Sequence, residues 1–149
     1  MANLFPATAL PDPQTQETTT QEIVFGRNVE LDYTQEEFVL SPTGRQYKLD
    51  ETNSWVEWCV KALATPRYKH LIYSDNYGSE FETLIGKSYS HEAAESEIRR
   101  MAKECLLADS RTANVDNFQF EWIEDGVIFV CRIVNVRGES RNIGGKVVL

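Results

Sequence analysis

Basic charge is scarce in this chain: 15 Lys and Arg stand against 23 Asp and Glu, a formal net charge of −8 over 149 residues. A surface of that sign repels phosphate backbones, which argues against nucleic acid as a partner. Long apolar runs are missing too. The longest, GVIFVC at 126–131, falls far short of the ~20 residues a membrane-crossing helix needs, so no membrane role is expected. The opening MANLFPATAL lacks the basic start and long apolar core of a secretion signal, and the reading is a soluble protein made in a cytoplasm. Cys59, Cys105 and Cys131 are odd in number and each lies in a patterned apolar segment, which favours buried free thiols over disulfides. His70 and His91 have no Cys or second His at ligand spacing, so neither metal nor other cofactor is expected.

Catalytic signatures are equally thin. There is no GxSxG, and with two histidines no base stands at a telling distance from a Ser or Cys nucleophile. GESRNIGGKV at 138–147 misses a phosphate loop, with Ser140 in place of the first glycine and Val147 in place of the Ser or Thr. Glu80 and Glu82, near Asp75, are a carboxylate pair of the kind glycoside hydrolysis uses. Among 23 acidic residues such neighbours arise by chance, and solvated charges at a helix start explain them better. The expectation is therefore not an enzyme, with a lysozyme-like peptidoglycan hydrolase as the alternative.

What the chain does have is an ordinary globular composition, 42% hydrophobic and 26% charged, at a length suited to one domain. Residues 1–20, with Pro6, Pro11, Pro13 and a Gln/Thr run, read as a flexible arm whose anchors are Leu4, Phe5 and Leu10; residues 21–149 form the domain. EIVFG, NVELDYT, EEFVLS and RQYKLD read as short strands with Tyr33, Phe38, Leu40, Tyr47 and Leu49 as β-type side chains and PTG at 42–44 as a turn. Trp55, Cys59, Ala62 and Leu63 then share one helical face, with Thr52 or Asn53 as the cap and Pro66 as the stop. SEFETLIG predicts a short helix closed by Gly86, and Ala94, Ile98, Met101 and Cys105 predict a longer one from Ser90, with Glu95 and Arg99 paired on its outside. The last third predicts a β-hairpin turning at Asp125-Gly126, with Val115, Phe118, Phe120 and Trp122 inward, followed by Ile128, Val130 and Arg132 or their alternates. NIGGKVVL is a further strand or one that seeks a partner. The fold class is α+β: a small single domain, two main helices packed on a mixed or antiparallel sheet, with an N-terminal β-ribbon and a C-terminal hairpin.

One stretch stands out, TPRYKHLIYSDNYG at 65–78. Arg67, Lys69 and His70 alternate with Tyr68, Tyr73 and Tyr77. Anion binding is one reading, but Arg and Tyr are also enriched where proteins meet, and docking is favoured. Gly78 marks a backbone angle that other residues resist.

KALATPRYKHLIYSDNYGSEFETLIG, with the preceding EEFVLSPTGRQYKLD, resembles the XkdS-type phage tail proteins of contractile-tailed phages and PBSX-like prophages. These are similar in turn to the contractile-tail baseplate wedge family, long labelled lysozyme-like. The resemblance runs from about Phe38 to Val136. The wedge family's Glu-Pro-Arg motif falls at LLADSRTANVDNF, where Arg111 fits while Asp109 and Ser110 replace Glu and Pro. The resemblance implies a structural wedge protein of the tail baseplate, in the virion and assembled in the host cytoplasm, that joins the wedge core and offers a platform for the first ring of sheath. Its implied partners are other wedge proteins, the tail sheath protein and tube or hub proteins. The partner-binding residues expected on this basis are Arg67, Tyr68, His70, Tyr73, Tyr77, Gly78 and Arg111.

Overall fold

Asp50 starts the first long helix. Its carboxylate accepts from the Asn53 amide at 2.7 Å, capping α1 (Glu51–Ala64) two or three residues earlier than the expected Thr52 or Asn53. Thr52 is used elsewhere: its hydroxyl donates to Glu139 at 2.7 Å, tying α1 to the sheet. At the other end Thr65 turns extended ahead of Pro66 and returns its backbone N–H to Lys61, which closes the last turn. The structure is a computed structural model and describes residues 22–32, 35 and 37–149. The arm at 1–20 with its anchors Leu4, Phe5 and Leu10, and Tyr33, lie outside the described residues.

The second long helix, α2 (His91–Leu107), is capped by Ser90, whose hydroxyl accepts from the Ala93 amide at 3.3 Å. Ala94, Ile98, Met101, Ala102, Cys105 and Leu106 form its buried face. The expected Glu95–Arg99 pair gives way to better partners across the fold. Glu95 accepts from Trp122 Nε1 at 2.9 Å, and the Arg99 guanidinium lies over the Phe118 and Phe120 rings. Between the helices, SEFETLIG supplies only a 3-10 helix at Phe81–Leu84, with Gly86 beyond it at φ +73°.

The C-terminal third is a three-stranded antiparallel meander, β3 (Thr112–Ile123), β4 (Gly126–Asn135) and β5 (Ser140–Val148), in the order β3-β4-β5. NIGGKVVL is thus a strand of this sheet, and the antiparallel option of the fold class holds. The turn falls at Glu124 and Asp125, one residue before the expected pair, because Gly126 already pairs with Ile123. On β4 the inward set is the alternate one, Val127, Phe129, Cys131 and Ile133, all buried. On β3, Val115 and then Phe118, Phe120 and Trp122 turn to the same side, which period two alone forbids. A β-bulge resolves it: Asp116 pairs with Arg132 and Gln119 with Val130, and Asn117 takes up the extra residue at φ +51°. Asn is among the few residues that reach this region readily.

Both helices cover the inner face, where Trp55, Ile98, Leu106, Phe129 and Ile133 are fully buried. The Trp55 indole N–H is satisfied by Thr112 Oγ1 at 2.9 Å. Cys59, Cys105 and Cys131 are free and buried. Desolvation pushes their thiols up to about 12, 11 and 12, which keeps them protonated and inert.

The N-terminal ribbon is much slighter than the sequence suggests. Its strands β1 (Leu31–Asp32) and β2 (Glu37–Phe38) have two residues each, extended by single bridges from Val29 to Lys48 and from Leu40 to Gln46. EIVFG forms no strand. It is held by one anchor, the buried Phe25.

Candidate docking site

Thr65 and Ser79 form the neck of the loop that carries TPRYKHLIYSDNYG. The Arg67 amide donates to the Ser79 carbonyl and the Ser79 amide to the Thr65 carbonyl, both at 2.8 Å, and the Ser79 hydroxyl donates to Leu63 O at 2.8 Å. Gly78 must pass close beneath this neck. It sits at φ +101°, and a Cβ there would lie 2.7 Å from the Thr65 carbonyl oxygen. Any side chain would therefore push the two arms of the loop apart.

Arg67 is the brace. Its side chain is only 6% exposed, donates Nε to Gly78 O at 3.1 Å, and reaches Glu80 at 3.1 Å and Glu104 of α2 at 2.7 Å through Nη1. Burial works against its charge, but the hydrogen bond to Glu104 and the charges of Glu104 and Glu80 outweigh it, and the guanidinium pKa rises above its ordinary value. Tyr77 is half-buried, edge-on to Trp58 at 5.4 Å and against Tyr73 at 4.5 Å. Burial raises its hydroxyl pKa.

The candidate residues thus divide. Arg67, Tyr77 and Gly78 frame the loop, whereas Tyr68, His70 and Tyr73 are exposed on it. The outermost side chains are two that the sequence reading passed over, Leu71, fully exposed, and Ile72, 87% exposed. Their signal was the apolar pair itself, enclosed by polar residues in a loop. Arg111 lies apart, in a network of the fold: it chelates Asp109, donates to the Phe25 carbonyl at 2.8 Å and lies over the Trp58 ring. Arg137 lies over the Phe25 ring, 3.9 Å from its centre. The two arginines pin the N-terminal segment to the sheet.

The two carboxylates of the expected pair are each engaged in an ion pair: Glu80 with Arg67 at 3.1 Å, part-buried, and Glu82 with Lys69 at 3.0 Å, exposed. Among the described residues no cluster of His, Cys, Asp and Glu is arranged to hold a metal, and no helix is long and apolar enough to cross a membrane.

The sheet contributes a second feature. Among the described residues β5 pairs only with β4, so its outer edge is unpaired. Beside that edge runs a groove. One stretch of about 230 Å³ is lined by Val60, Leu63, Ala64, Phe81 and the backbone of Gly144 and Gly145. A neighbouring one of about 270 Å³ continues past Pro66 and Ile85 to Val147 and Val148. Gly145 has no side chain to fill the space beside the Phe129 ring, whose edge would stand 3.2 Å from a Cβ. Gly145 of NIGGKVVL, on the inward side of β5, is what opens the groove.

The described residues thus present an open sheet edge beside a groove and a projecting loop held at its neck. Residues 27–138 match the model of the contractile injection system sheath initiator family, and the chain belongs to that family. It is a structural family of contractile tails, so the chain is a tail component with a sheath-initiating role. The chain is also similar to the phage-like element PBSX protein XkdS of Bacillus subtilis (strain 168), with 28% identity over 106 residues, covering 62% of this chain and 75% of that protein.

Proposed function

We propose that the chain is the baseplate wedge protein on which the first ring of tail sheath assembles, and that it receives an extended segment of the sheath protein along the free edge of β5. The observation that carries this reading is the coincidence of an unpaired strand edge with a groove floored by glycine backbone and walled by apolar side chains. An added strand gains main-chain hydrogen bonds from the edge, and alternate side chains enter the groove. Edge strands left open in this way are normally shielded, because they recruit other chains. Here Lys146, paired with Asp125 at 2.9 Å, places charge on the strand beside the groove, and Glu82, paired with Lys69, also lines it. Other wedge proteins and tube or hub proteins are the remaining partners of this reading, on surfaces away from β5.

Ala64 and Ile85 are exposed residues of the groove wall, so each accepts a glutamate without disturbing the core. Co-expression with the sheath protein of the same tail, followed by size-exclusion chromatography, tests the reading. Wild type is expected to co-elute with sheath and to gain hydrogen-exchange protection at 144–148. Ala64→Glu and Ile85→Glu, folded as judged by circular dichroism, are expected to lose both. Undiminished co-elution of both variants would overturn it.

A further inference from the structure

We infer that Leu71 and Ile72, at the apex of the 65–79 loop, are a second element of the same docking surface, entering an apolar cleft on the body of the sheath protein whose strand pairs with β5. This rests on the proposed function and adds the residues that fix the partner's orientation. Continuity of surface supports it: the hollow beneath the loop is lined by Ala64, Pro66 and Ile72, and Ala64 and Pro66 also line the groove beside β5. A partner seated along β5 therefore meets the loop next.

The loop is built to hold an apolar tip away from the protein. Two branched aliphatic side chains would lose exposed surface by folding back, but Tyr73 is packed against Tyr77 within the loop and the neck is fixed by Arg67. Tyr68 sits at φ +65°, a region costly for an aromatic residue and kept only where the surroundings impose it. Preorganisation of this kind removes an ordering cost at the moment of binding.

Charge defines the cleft that fits. Lys69 is neutralised by Glu82, and Arg67 by Glu80 and Glu104, within the chain itself. A partner carboxylate facing the tip would be desolvated with no counter-charge, and Asp75, exposed in the same loop, adds a further negative charge against it. The cleft is accordingly free of carboxylates and lined by aliphatic or aromatic side chains. A lipid surface fits less well, given two aliphatic side chains on a chain of net charge −8.

The experiment is titration of purified sheath protein into wild type and Leu71→Ala/Ile72→Ala, with hydroxyl-radical footprinting of position 71 and hydrogen exchange at 144–148. The double variant is expected to bind about 100-fold more weakly, roughly tenfold for each truncated anchor. At saturating sheath it should still protect 144–148, and in the wild-type complex Leu71 should be shielded. Leu71→Met/Ile72→Val should restore affinity. Unchanged affinity with Leu71 still labelled would overturn the inference while the β5 reading stands. A wild type that does not bind sheath overturns both. Loss, in the double variant, of self-association or of binding to phosphatidylcholine vesicles, with sheath affinity unchanged, would reassign the tip to a second copy or to lipid.

Discussion

The ribbon at 29–48 and the meander at 112–148 are both written in alternating β-type residues, yet they differ in what stands behind them. The meander has strands of 9–12 residues and two helices over one face, so its inward set of Val127, Phe129, Cys131 and Ile133 is buried. The ribbon has two-residue strands and, among the described residues, no covering layer, and Phe38, Leu40 and Tyr47 are about half exposed. Alternation proposes a strand, but burial of one face is what extends it. The ribbon is held by few ties, among them the Asn28 amide to the Ser54 hydroxyl at 2.8 Å and the Leu49 amide to Asn28 O at 2.9 Å.

The contrast is broken most directly by truncating one phenylalanine in each region. Phe129→Ala empties a site between Phe81, Phe118 and the helices, and is expected to cost about 3–5 kcal/mol in urea unfolding. Phe38→Ala removes a half-exposed ring and should cost less than about 0.5 kcal/mol. Equal losses would mean that the ribbon carries a core of its own. A smaller effect is expected at the bulge. Asn117→Val forces a β-branched residue to φ +51° and should cost roughly 1–3 kcal/mol, whereas Asn117→Gly should be near neutral.

The two helices and the inward parity of β3 were legible in the residues, because each long element carries several apolar positions that agree with one another. Val115 and Phe118, three apart on an otherwise alternating strand, already implied the bulge. The ribbon was over-read for the opposite reason: EIVFG is a short run of β-type residues and RQYKLD alternates locally, and sequence does not state whether another layer will cover them. The cap of α1 was misplaced because Asp50, Thr52 and Asn53 are all able caps, and the choice depends on Glu139 drawing Thr52 away, 87 residues on. The tyrosine loop was found by its composition, but its division into frame and tip was not, since Arg67 finds Glu104 only once α2 is packed. The β5 groove depends on an open edge and an inward glycine, Gly145, meeting α1, a relation between elements that no local pattern carries.

Acid sharpens the comparison by the smallest step. Three carboxylates of the meander titrate below their ordinary range: Asp116 through its hydrogen bonds from Arg132, Asp125 through Lys146, and Glu139 through Thr52 and Asn135. Each has a folded pKa below its unfolded one, so its stabilising contribution is complete above the unfolded value, about 4, and is lost as pH falls through the lower folded value. These groups are exposed and screened, so the loss is gradual and does not unfold the core. Glu139 differs from the other two in what it joins, since it links Thr52 at the start of α1 to Asn135 at the end of β4. Amide exchange measured between pH 5 and pH 3, corrected for intrinsic rates, should therefore show protection falling at the β4–β5 turn and the first turn of α1 together. In Glu139→Gln the pH dependence shared by the two places should weaken, because an amide keeps an acceptor for Thr52 and Asn135 but does not titrate, while the Asp50 cap and the Arg137–Glu51 pair remain. If the two places lose protection independently, Glu139 is not what couples the helix to the meander.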